Sequence, residues 1–181
     1  MLRIFLFYLA VLFASFDLAL SVGLNVTVIG ARDGKTRFEC WALSAPFVSS
    51  EQFGIVGTET AALGDVTNIT YNVIPAGFDS GFHNAPTIQW TIVLNGLAVV
   101  TLQDNSSVSV TASMGEMGLL FFTDTKDVSP DGHRSVYPGI TETIFLQIPT
   151  KDAATPEHHV VYDNAPCAGP EFVGLRQWAT G

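Results

Sequence analysis

The 181-residue chain has the length of one domain and is long enough to bury a substantial core. Charged residues make up only 14 % of it, and the formal net charge is −9. Its eight Lys and Arg are scattered without a basic run, which excludes the electrostatic footprint of a nucleic-acid or anionic-lipid binder. A small ligand, a sugar or a cationic surface remains open as a partner.

Met1-Leu2-Arg3 gives a positive start, and residues 4–16 are an apolar run of thirteen. Asp17 interrupts the run, and Ala19-Leu20-Ser21 supplies small residues ahead of a cleavage point. The pattern predicts a signal peptide over 1–21 and a secreted, extracellular chain. Thirteen apolar residues are too few to span a bilayer, so no membrane span is expected after cleavage. Asn-x-Ser/Thr sequons at Asn25, Asn68 and Asn105 suit glycosylation of a secreted protein. The two cysteines, Cys40 and Cys167, are expected to pair as a disulfide in an oxidising compartment. Two free, buried thiols are the alternative, since sequence does not supply the Cα separation a disulfide requires.

In chain order, residues 25–29 alternate like a strand, and Asp33-Gly34 marks a turn. Residues 37–43 read as a strand with Phe38, Cys40 and Ala42 on one face and Arg37, Glu39 and Trp41 on the other. Residues 46–66 have no clear period and are expected to be irregular, with one short strand near 53–56. A strand over 68–74 places Ile69, Tyr71 and Val73 on one face. Strands over 89–94 and 97–102 flank Asn95-Gly96, a pair suited to a type I′ hairpin because both central residues need φ > 0. Further strands are expected over 108–111, 119–122, 133–137 and 141–148. In the last, Thr143, Phe145 and Gln147 oppose Ile144, Leu146 and Ile148. From Lys151 the chain is rich in Pro, His, Gly and Ala and is expected to be an irregular arm, with a helical turn within 171–178. The adjacent His158 and His159 are a weaker metal candidate, more in keeping with an exposed tail. Many short strands with frequent turn residues predict an all-β sandwich or closed barrel.

Within this pattern, Gly77, His83, Gln89 and Gly96 fall at the distances of G-x5-H-x-H-x3-4-E-x6-G. Ala85 stands at the second histidine position and Gln89 at the glutamate position. A looser second motif, Gly115 followed by Asp131-Gly132-His133, has Tyr137 at its asparagine position. The chain thus resembles the cupins over residues 65–149, and among them a subgroup of small secreted, fungal-type proteins with a degenerate metal motif. The resemblance implies a single small jelly-roll-like barrel. The expected organisation is a leader over 1–21, a cupin-like barrel over 22–149 and an irregular arm over 150–181 packed on the barrel. A homodimer through barrel edge strands is compatible with the same resemblance.

In metal-binding cupins the motifs supply three histidines and one glutamate. Carried over, this chain keeps His83 and His133, substitutes Gln89 and loses a ligand at Ala85. Asp124 is a candidate third strong ligand if loop 124–132 folds back to the barrel mouth, completing a two-His-one-carboxylate set suited to one divalent transition metal. The leading expectation is a small-molecule pocket lined by His83, Gln89, Asp124 and His133, with no metal or a weakly held one. The alternatives are an extracellular metal-dependent oxygenase, isomerase or decarboxylase using the same cluster, and a non-catalytic cell-wall or surface interaction protein. Residue types for a hydrolytic triad are present in Asp124, His133 and Ser135, but no G-x-S-x-G turn presents the serine.

Overall fold

A computed structural model describes residues 23–105 and 107–172. The expected leader over 1–21 therefore lies outside the described residues, as does most of the expected helical turn over 171–178, of which only residues 171–172 are described, at the end of a helical stretch over 169–172. The fold is all-β. Its strands are β1 (Gly23–Arg32), β2 (Lys35–Pro46), β3 (Val48–Ser49), β4 (Glu59–Thr60), β5 (Thr70–Ile74), β6 (Asp79–His83) and β7 (Gln89–Asn95). They continue as β8 (Leu97–Leu102), β9 (Ser109–Ser113), β10 (Leu119–Phe122), β11 (His133–Val136), β12 (Thr143–Pro149) and β13 (His158–Tyr162).

A seven-stranded sheet runs in the order β13-β2-β1-β10-β7-β12-β5, and a four-stranded sheet in the order β6-β11-β8-β9. β3 and β4 form a separate two-stranded ribbon, and among the described residues no sheet closes on itself. Strands β5 to β12 pass from one sheet to the other at nearly every step. Period-2 alternation then does the packing. Ile29, Phe38, Val93, Leu120 and Phe145 of the large sheet meet Val100, Leu102, Val110 and Ala112 of the small one. The opposite face of the large sheet carries a second apolar cluster, with Val28, Trp41, Trp90, Phe121 and Ile148 buried. Leu63 covers part of it, and its carbonyl accepts the Trp90 indole N–H at 3.2 Å.

Three expectations need correction. Asn95-Gly96 is not a hairpin. Both edges of β7 are taken by β10 and β12, so β8 crosses to the small sheet and pairs with β9 and β11. Gly96 makes that corner at φ 76°, and a Cβ there would lie 2.6 Å from Thr143 Oγ1. The tight hairpin is instead at Asp33-Gly34, where φ is 54° and 76° and β1 meets β2 in register. Residues 53–56 form no strand: β3 and β4 lie on either side of them, and Ser50 and Thr58 close the loop by backbone hydrogen bonds.

The third correction concerns the arm over 150–181, which is not irregular throughout. Its residues 158–162 form β13, paired antiparallel with β2, so the arm extends the large sheet. Cys40 and Cys167 are joined in a disulfide with a Cα–Cα distance of 4.6 Å. Phe172 buries itself against that bond, and the Cys167 N–H donates to Thr27 Oγ1 at 3.0 Å. No helix among the described residues is long and apolar enough to cross a membrane.

Candidate functional site

The two sheets part at one edge, between β5, β12 and β7 on one side and β6 and β11 on the other, leaving a cavity of about 260 Å³. Strand alternation decides what lines it. Gln89 and Thr91 project from β7, Gln147 from β12, Asn72 from β5, and His133 and Ser135 from β11. His83, at the end of β6, completes the polar side with Ser80, and Phe78, Tyr137 and Phe145 form an aromatic side. No Asp, Glu, Lys or Arg is among the lining residues. The motif positions His83, Ala85, Gln89 and His133 therefore share one cavity, and Asp124 stands behind it.

His83 and His133 are register partners across the β6–β11 ladder, with ring centroids 4.5 Å apart. Gly132 makes this approach possible. It sits at φ 64°, and a Cβ on it would fall against the His83 carbonyl oxygen. Beyond the histidines, Arg134 grips Asp79 with two hydrogen bonds and fixes the other end of the same ladder. That guanidinium holds the Asp79 carboxyl well below the usual carboxylate range.

Loop 124–132 packs against residues 84–85 beside the cavity, and none of its residues lines the cavity. The Asn84 side-chain amide donates to the carbonyls of Asp124 and Ser129, each at 2.9 Å, and Thr125 bridges to Ala85. Yet this turns Asp124 inward instead of into the cavity. Its side chain is 0 % exposed, and Oδ2 lies 2.7 Å from His133 Nδ1. Burial pushes the Asp124 carboxyl up, while the hydrogen bond from His133 works in the opposite direction. Its second oxygen, Oδ1, is buried without a hydrogen-bond partner among the described residues. Asp124 is thus a positioning group for His133 and does not line the cavity.

The hydrogen bonds also assign the ring nitrogens. A carboxylate or carbonyl oxygen only accepts, so His133 donates Nδ1–H to Asp124, and His83 donates Nδ1–H to the Gly81 carbonyl at 3.1 Å. In each ring Nε2 is left as the nitrogen available to the cavity. The site thus offers two imidazoles and the Gln89 side-chain amide. For a divalent cation this set is poor: Ala85 offers no donor, Gln89 brings no charge, and Asp124 is spent on His133. Among the described residues no group of three or more His, Cys, Asp and Glu side chains is placed to hold a metal ion. His158 is elsewhere, stacked on Trp41 at 3.5 Å, while His159 is exposed.

Asn72, Ser80, Thr91, Gln147 and the aromatic residues of the cavity were outside the expected site. Their signal was available in part, since the alternation of residues 141–148 already puts Phe145 and Gln147 on one face. For β5 the polar residue Asn72 is the inward one, while Ile69, Tyr71 and Val73 are exposed. The sequons differ too. Asn68 is exposed, whereas the Asn25 amide donates to the Glu171 carbonyl at 2.9 Å beneath the arm. In the Asn105 sequon, Ser107 Oγ donates to Asn105 Oδ1 at 2.8 Å. No protein-family model matches the chain, and no curated protein matches it at a significant level.

Proposed function

We propose that this chain is a secreted cupin-like protein whose jelly roll binds a small, uncharged, hydroxyl-bearing molecule in the cavity around His133. The observation that carries this reading is the convergence of His83, Gln89 and His133 on one uncharged cavity with an aromatic side. No Asp, Glu, Lys or Arg lines the cavity to offset a charged ligand, whose burial carries a desolvation cost. A neutral ligand with hydroxyl donors satisfies the two Nε2 acceptors and lays an apolar face on Phe78, Tyr137 or Phe145. At about 260 Å³ the space suits a molecule of monosaccharide size and is below the usual range for larger ligands.

The cupin assignment draws support from the strand order. Within the large sheet β5-β12-β7-β10, and within the small one β6-β11-β8-β9, the eight strands interleave as a jelly roll does. Secretion draws support from the leader pattern and the disulfide. One observation favours the metal-dependent alternative. Both histidines direct Nδ1–H into fixed acceptors and keep Nε2 free, as metal-ligating histidines do.

Elemental mass spectrometry of the secreted, untagged protein separates the two. Less than a tenth of an equivalent of any transition metal, together with saturable binding of a neutral monosaccharide or polyol by calorimetry, is the expected result, with binding lost in His133→Ala. One equivalent of metal that disappears in His133→Ala would overturn the metal-free reading.

A further inference from the structure

His83 and His133 stand side by side, yet different groups hold them. The backbone carbonyl of Gly81 takes the Nδ1–H of His83 at 3.1 Å, which is enough to orient a ring. His133 has the carboxyl of Asp124 instead, 0 % exposed and 2.7 Å from Nδ1. Burying an acid is costly, and a carbonyl would orient this ring equally well. What a carboxylate adds is a counter-charge for imidazolium, the state His133 enters when Nε2 takes a proton. A second group in the cavity is also uncommitted. Gln89 is only 5 % exposed on β7, and its side-chain amide has no hydrogen-bond partner among the described residues. Its N–H groups are therefore free to donate to a bound molecule. Among the described residues no hydroxyl or thiol is hydrogen-bonded to the His133 ring, so the arrangement lacks the activated nucleophile of acyl transfer.

We propose that the cavity catalyses proton transfer at the carbon beside a carbonyl group, in a small neutral hydroxyaldehyde or hydroxyketone. This rests on the reading that the cavity takes a small, uncharged, hydroxyl-bearing molecule, and it adds a reaction to that binding. Nε2 of His133 takes the proton from the hydroxyl-bearing carbon. That C–H bond breaks, its electron pair forms the C=C bond of an enediolate, and the carbonyl oxygen takes the negative charge. The Gln89 amide donates an N–H to that oxygen, while Asp124 offsets the charge on the His133 ring. The proton then returns from Nε2 to the former carbonyl carbon, and the hydroxyl proton passes to the former carbonyl oxygen. Aldehyde and ketone are exchanged with no net oxidation, so no external oxidant or reductant is needed. His133 and Gln89 touch the substrate in this scheme, and Asp124 is a positioning residue acting through His133. The cavity of about 260 Å³ limits the substrate to monosaccharide size or smaller.

The test is exchange of carbon-bound hydrogen for deuterium in D2O, followed by proton NMR, with and without EDTA. Dihydroxyacetone, glyceraldehyde and fructose are the probes. The secreted wild type is expected to exchange at least one of them faster than buffer does, equally in both conditions. Asp124→Asn is expected to lower kcat by about 100-fold or more with KM little changed. His133→Ala should lose exchange and regain part of it when free imidazole is added, which a histidine of purely structural role would not show. Gln89→Leu is expected to lower kcat by about 100-fold and leaves Asp124 and His133 in place, so it carries the test should Asp124→Asn not fold. No exchange above buffer with any of the three probes overturns the proposal. Calorimetry with sorbitol then separates two failures: binding that His133→Ala abolishes leaves the binding reading standing without the reaction, and no binding removes both. Exchange that EDTA abolishes, or that is indifferent to Asp124→Asn and Gln89→Leu, also overturns the proposal.

Discussion

Gly132 has no side chain, and the backbone of His83 occupies the space one would take. Gly132→Ala meets both that contact and a φ of 64°, so it is expected to cost about 1–3 kcal/mol or more in urea unfolding and to weaken ligand binding by parting the two histidines. Asp124 acts through His133. Asp124→Ala leaves His133 Nδ1–H buried without its acceptor, an expected loss of about 1–3 kcal/mol. The pH dependence has a defined sign. Because burial raises the Asp124 carboxyl above its ordinary value of 3.8, the folded chain holds a proton that the unfolded chain has released. Stability from this group therefore falls as pH rises from that value through the folded one, and Asp124→Asn should flatten that slope in urea titrations at several pH values. In the secreted chain, glycopeptide mapping is expected to find sugar on Asn68 and none on Asn25, whose amide is engaged by Glu171 under the arm. The sequence brought Asp124 into the right neighbourhood in the wrong role. Residue type does not reveal which way a folded-back loop turns its carboxylate.

At the scale of elements, alternation made most strands legible, with β10 falling where its apolar run is. Pairing was less legible. Asn-Gly and Asp-Gly both supply positive φ, and whether such a pair closes a hairpin or turns a corner depends on which edges the neighbouring strands have already filled. Asn95-Gly96 turns a corner for that reason, and Asp33-Gly34 closes a hairpin because β2 has only β1 beside it at that point. The arm misled in another way. Its Pro- and Gly-rich composition hides a five-residue strand, β13, that a free edge on β2 and the disulfide hold in place. Cys40 and Cys167 are 127 positions apart, so their bond removes much of the unfolded chain's freedom. Replacing both by Ser is expected to cost roughly 2–5 kcal/mol by urea unfolding. Hydrogen exchange should then quicken in β13 before it does in β7, since β13 pairs on one side only.

For the molecule as a whole, the division of labour follows from the sheets. The inner face of the large sheet packs on the small sheet, and Leu63 packs on the apolar cluster of its outer face. The cavity occupies the side where β5 and β6 leave the sandwich open. The exposed residues Ile69, Tyr71 and Val73 and the cavity thus lie on opposite sides of the large sheet, with Asn72 of β5 facing in and Tyr71 facing out among the described residues. The interleaving of strands has a further consequence, for the order in which the chain is made. β5 pairs with β12 alone, and β12 is the last of the eight interleaved strands to be synthesised. Until it emerges, β5 has no partner, and Ile69, Tyr71 and Val73 wait on an unpaired strand. A ribosome stalled before Thr143 should therefore hold a nascent chain that proteases cut freely, and protection should arrive abruptly once residues 143–149 are out of the exit tunnel.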